Sequence, residues 1–173
     1  MKTDKYLEYL KSKNISESNF SDLKFVWLDY FNLLDKRAKR DLNLKNTLQI
    51  TALISSILIP VLANIDYVKD SIIFDETQKK VFITLLGLLS SISLGLLQKF
   101  NFEDRWLHYR RYAELVRING EEFLAQLNPT SDNSSDVKNF LLDVQNIKKN
   151  ENSIYTNQFQ RKAVEKKTTP NNV

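Results

Sequence analysis

Hydrophobic positions follow two different patterns along this chain. Two stretches, Asn46 to Ile65 and Val81 to Gln98, contain no charged side chain, whereas elsewhere apolar residues recur at helical spacing among Lys, Arg, Asp and Glu. A helix rises about 1.5 Å per residue, so about 20 residues cross a hydrocarbon core of about 30 Å. The first stretch meets that length and the second lies near the short end of the range. Both are apolar all round, as a helix in lipid is, and the pair predicts a transmembrane hairpin. A soluble bundle with two buried helices is the alternative, and the mean hydropathy of −0.37 favours it. A buried helix of a soluble domain, however, seldom runs this long without a charge on its outer face.

The flanks are amphipathic. Phe20, Leu23, Trp27, Tyr30 or Phe31, Leu34 and Ala38 share a helical face, and no Gly or Pro separates them from the first span, which predicts one long helix entering the bilayer. Beyond the second span Trp106, Tyr109, Ala113, Val116, Phe123 and Leu127 continue the pattern until Asn128 and Pro129, which predicts a second long helix leaving it. The loop-like segment 129–136 has Ser and Asp oxygens to cap a further helix carrying Phe140, Val144, Ile147 and Ile154 and ending near Gln160. Tyr6 to Leu10 suggests a short amphipathic helix at the start.

With no strand-like alternation and no internal repeat, the fold class is all-α: a two-span transmembrane helical hairpin whose long helices extend into a cytoplasmic helical stalk or bundle. Read as one domain, the chain has N-terminal helices over 1–45, spans at 46–65 and 81–98, an external connector at 66–80, cytoplasmic helices over 99–160 and a disordered tail at 161–173.

Charge then sets orientation. Lys36, Arg37, Lys39, Arg40 and Lys45 precede the first span, Lys99, Arg105, Arg110 and Arg111 follow the second, and the connector holds Asp66, Asp70, Asp75 and Glu76 against three Lys. Basic flanks stay inside, so both termini are expected in the cytoplasm. Met1 to Asn19 has no apolar core of a cleavable signal.

The formal net charge of +4 is accounted for by these flanks and the basic tail, so no nucleic-acid partner is implied. The chain has no Cys and one His, His108, which excludes disulfides, thiolate metal sites and cysteine catalysis. Neither a nucleophile and base set nor a phosphate-binding Gly loop is present, so an enzyme and a cofactor are not expected.

Candidate chemistry lies in the spans and just beyond them. Gly87, Ser91 and Gly95 are spaced by four, as are Ala52, Ser56 and Pro60; small faces let helix backbones approach closely in lipid, either within the hairpin or between copies. Hydroxyls and an amide at Thr47, Gln49, Thr51, Ser55, Thr84, Ser90 and Ser93 would suit a pore shared by several hairpins. Pro60 is either a static bend or a hinge. In the segment 106–114, Trp106 and Arg110 are positioned to stack and Arg110 and Glu114 to pair along one helix face, with His108 opposite as an ordinary polar side chain.

The residues Trp27 to Phe31 (TrpLeuAspTyrPhe), the basic run to Arg40, the hairpin, the string Trp106, Tyr109, Arg110, Ala113 and Glu114, and Glu151 followed by Tyr155 together resemble the SLATT superfamily of small two-span effectors, including its domain-of-unknown-function relatives. The resemblance covers most of the chain. It implies a homo-oligomer in the bacterial inner membrane that forms a pore when triggered in an anti-phage or conflict system, with a nucleotide synthase or nucleotide-sensing protein as partner. On that expectation the string at 106–114 couples the cytoplasmic helices to the spans. A membrane-anchored docking scaffold without conductance is the other expectation.

Overall fold

The computed structural model describes residues 2–13, 15–64, 76–128 and 133–157. The described residues form helices α1 (Lys2–Ser12), α2 (Glu17–Asp22), α3 (Asp29–Asn64), α4 (Glu76–Phe100), α5 (Phe102–Gln126) and α6 (Ser134–Tyr155), with a π-helical turn at Leu23–Leu28 and no strand. Most of the connector and the tail expected at 161–173 lie outside the described residues.

Ser16 starts α2, its Oγ accepting from the Asn19 amide at 3.4 Å. From Glu17 the helical path runs unbroken to Asn64, as the patterning predicts. The π turn carries the Asp29 amide back to the Lys24 carbonyl, five residues earlier. This wider turn explains why the sequence leaves Tyr30 and Phe31 equally placed: both are buried, together with Leu23, Trp27, Leu28 and Leu34. Pro60 lies within α3 and does not end it.

The helix beyond the second span departs from the expectation. Instead of running on from α4, it is broken at Asn101, the single described non-Gly residue with positive φ (44°). Asn tolerates this left-handed conformation better than a β-branched or bulky residue. The Arg105 amide then donates to the Asn101 carbonyl at 3.3 Å, and Glu103 and Asp104 occupy the first turn of α5, where carboxylates favour the positive end of the helix dipole.

Asn133 takes the N-cap position of α6, yet its side chain makes no cap bond. It grips the backbone of Asn128 instead, accepting from that amide at 3.3 Å and donating to that carbonyl at 2.9 Å. The end of α5 is thereby pinned to the start of α6.

The chain divides into two compact units, Met1–Lys36 with Tyr109–Val173, and Arg37–His108. The first is a helical bundle with a conventional core. Trp27 meets Phe140 edge-on at 5.4 Å, Phe140 stacks on Phe123 at 4.3 Å, and Leu10, Leu23, Val116 and Val144 are fully buried. Each such apolar side chain contributes about 1.5–3 kcal/mol by leaving water.

The second unit is the opposite. It contains the two helices long and apolar enough to cross a membrane, and Ile50, Leu53, Ile57, Leu85, Leu88 and Ile92 are all at least half exposed. Two buried helices of a soluble bundle would hide these residues; here they face outward.

Candidate functional site

Within the second unit, the faces that α3 and α4 turn inward are set by small residues. Ala52 and Ser55 on α3 and Ser93 on α4 are buried. Burying hydroxyls there keeps the helices close and leaves Ser55 and Ser93 inside the hairpin rather than on its outer surface. Of the other polar span residues, Thr51 and Ser90 are half-buried, and Thr47, Gln49 and Thr84 are exposed. Thr84 Oγ1 donates to its own helix at the Lys80 carbonyl (2.9 Å), and Ser56 Oγ does the same to Leu53 (2.8 Å).

The stripe Gly87, Ser91 and Gly95 is not part of that inner packing. Apart from the adjoining backbone of α4, no atom of the described residues lies within 4 Å of the position a Cβ would take at Gly87 or Gly95, and Ser91 and Gly95 are exposed. Ser56 and Pro60 are likewise exposed, so of the α3 trio only Ala52 faces inward.

At the end of the hairpin where the basic flanks lie, two ion pairs join α3 to the first turn of α5. Lys45 Nζ lies 3.2 Å from Glu103 Oε2, and Arg105 lies 3.1 Å from Asp41 Oδ2. Asp41 is 1% exposed and its other oxygen accepts from Arg40 Nε at 3.2 Å. A carboxylate this deeply buried is held only by its cations. Sequence reasoning missed Asp41, which stands at the end of a run of Lys and Arg and reads as surface charge.

Trp106 is half-buried, with its indole nitrogen enclosed and without a hydrogen-bond partner. His108 is 9% exposed, more enclosed than an ordinary surface side chain.

In the first unit, Tyr109 is buried and stacks on Tyr155 at 6.0 Å, so the residues that carry the resemblance at 109 and 155 meet. Ala113 is 1% exposed, small enough for α5 to sit against its neighbours. The ion pair of Arg110 is with Asp35 (3.4 Å), not with Glu114 as the helical spacing suggests. Glu114 instead receives Arg117, which also grips Glu121. That double clamp pushes the Arg117 guanidinium above its ordinary pKa. Glu151, 3% exposed, adds to the burial that raises the Tyr112 hydroxyl above its usual 10.0.

Among the described residues no group of three or more His, Asp or Glu gathers to hold a metal ion. No curated protein and no solved structure matches the chain. Residues 29–137 match a family described as protein of unknown function (DUF4231), a stretch that includes both apolar helices and the string at 106–114. Because this match spans more than half of the chain, the protein belongs to the DUF4231 family.

Proposed function

We propose that the protein is an integral membrane effector that assembles through its hairpins and permeabilises the bacterial inner membrane when activated by a nucleotide-signalling partner. The observation that carries the assembly is the open stripe Gly87, Ser91 and Gly95 on an otherwise bulky apolar helix. In lipid, association is driven by close packing, and a small-residue face that its own hairpin leaves uncovered is suited to a second copy. Two helices cannot enclose water, so conduction requires several hairpins.

With Ser55 and Ser93 buried inside the hairpin, the hydroxyls available to a shared path in this state are those at the outer surface, Thr47 and Ser91 among them. The signalling context rests on the resemblance to the SLATT superfamily, and the string from Trp106 to Glu114 is the segment proposed to carry the signal to the spans. An activator opens such an assembly only by binding the open state more tightly.

The test is membrane potential in bacteria expressing the full chain, followed with a voltage-sensitive dye, for wild type and Ser91→Leu. Depolarisation by wild type and not by the variant supports the reading. Membrane-integrated wild type that never depolarises, even when co-expressed with a neighbouring nucleotide synthase, overturns it in favour of a docking scaffold.

A further inference from the structure

Two cavities of the second unit share Gln49 and Leu97 in their linings and differ in chemistry. One, of about 300 Å³, is polar and is lined by Lys45, Asn101, Glu103 and Asp104 together with Gln49 and Leu97. The other, of about 540 Å³, is an apolar cleft between α3 and α4 walled by Ile50, Leu53 and Leu94, with Ser56 and Ser90, and again Gln49 and Leu97. The two shared residues set the charged cavity beside the apolar one, as a mouth beside a trough. The trough runs along α3 from Gln49 to Ser56, and at about 1.5 Å per residue this is about 10 Å, half the length of an extended acyl chain of ordinary size.

We propose that this composite site binds one phospholipid whose headgroup carries both a phosphate and a primary ammonium. The acyl chain lies in the trough, the phosphate meets Lys45, and the ammonium meets Glu103 and Asp104. The charge at the mouth selects the lipid class: one cation and two carboxylates match a zwitterion and repel a headgroup that is only anionic. Asn101, in its left-handed conformation, turns the chain at the start of the stretch 101–104 that lines the polar cavity. Lys45 and Glu103 already touch at 3.2 Å, so the headgroup inserts into a pair that its own two charges replace.

The proposal rests on the reading that the two apolar helices span a bilayer. The experiment is native mass spectrometry of the detergent-purified full chain, titrated separately with 1-palmitoyl-2-oleoyl phosphatidylethanolamine and the matching phosphatidylglycerol. One ethanolamine lipid per chain, bound at least fivefold more tightly than the glycerol lipid, is expected. In Glu103→Gln/Asp104→Asn the preference should vanish, while Ser56→Phe, which fills the trough from an exposed position, should weaken both lipids at least fivefold. Equal affinity for the two lipids in wild type, or lipid binding that neither variant changes, overturns the proposal. Release of the chain from bacterial membranes by alkaline carbonate would instead overturn the membrane reading itself, and the two failures are thereby distinct.

Discussion

The indole nitrogen of Trp27 donates to the main-chain carbonyl of Val116 at 3.2 Å, and the ring lies flat enough against α5 to occupy the space where a side chain at Gly120 would begin. The carbonyl of Val116 is the one that the Gly120 amide meets in helical register. A glycine in mid-helix ordinarily costs about 1 kcal/mol relative to Ala. Here it is the seat for the largest side chain in the core.

Gly120→Ala is therefore expected to destabilise the first unit despite its better helix propensity. The new methyl would overlap the indole ring, and overpacking of this kind costs about 1–3 kcal/mol, more than the propensity returns. Trp27→Phe shortens the ring that faces residue 120, so Gly120→Ala should cost less in that background. Unfolding of the four proteins followed by circular dichroism would measure the coupling; additive effects would refute the contact.

Asp41 and Arg105 fasten the start of α5 to α3 within the second unit. Asp41→Asn leaves Arg105, whose side chain is 21% exposed, without its counter-charge, and the expected loss is about 1–3 kcal/mol. Replacing both partners, Asp41→Leu with Arg105→Met, should recover most of it. If the double variant is as unstable as the single, the pair is not what holds the charge.

The apolar helices are legible because their length and lack of charge are read directly along the chain, and the core face of the bundle is legible because burial repeats at helical spacing. What it hides depends on partners distant in the chain. Asp41 looks like one more surface charge among Lys and Arg, and only the approach of Arg105 makes it a core residue. Asn101 sits in a pattern that reads as continuous helix, and its single hint is the pair of carboxylates after it, placed as a new first turn requires. The spacing of Gly87, Ser91 and Gly95 fixes a shared face, whereas which neighbour that face meets is decided by the packing of Ala52, Ser55 and Ser93. Arg110 and Glu114 satisfy the helical pairing rule and still separate, since Asp35 and Arg117 are better placed.

The docking of α1 should depend on pH at both ends of the range. Tyr6 Oη donates to Glu121 Oε1 at 2.8 Å, and this bond, with Arg117 beside it, holds the Glu121 carboxyl below its ordinary 4.5. A depressed carboxyl contributes stability that is complete above its unfolded pKa and is lost as pH falls through the folded one, so α1 should loosen from about pH 4.5 downward. Burial, reinforced by Glu121, raises the Tyr6 hydroxyl above 10.0, so stability present below that pH is lost as pH climbs past it. The near-ultraviolet circular dichroism of Trp27, whose ring lies 5.5 Å from Tyr6, is the readout. Tyr6→Phe should reduce the alkaline step to what the raised Tyr112 hydroxyl contributes, and weaken the acid one; a wild-type signal constant from pH 3 to 11 would contradict the linkage.

If the hairpins assemble as proposed, Gly87 and Gly95 are positions at which assembly can be tested apart from folding. Among the described residues, nothing beyond the adjoining backbone of α4 lies within 4 Å of a Cβ at either residue, so a larger side chain there meets no neighbouring helix. Gly95→Leu is thus expected to leave the thermal melt of the detergent-solubilised monomer unchanged or slightly raised, since the helix also gains propensity. Between copies the same leucine would hold the backbones apart and remove the close contact on which association in lipid depends. Chemical cross-linking in native membranes should then lose the oligomer bands of wild type, and depolarisation during expression should fall at least tenfold. Gly95→Ala should fall between the two. A Gly95→Leu protein that cross-links and depolarises like wild type would assign the stripe to lipid contact and move the search for the assembly face to the opposite side of α4.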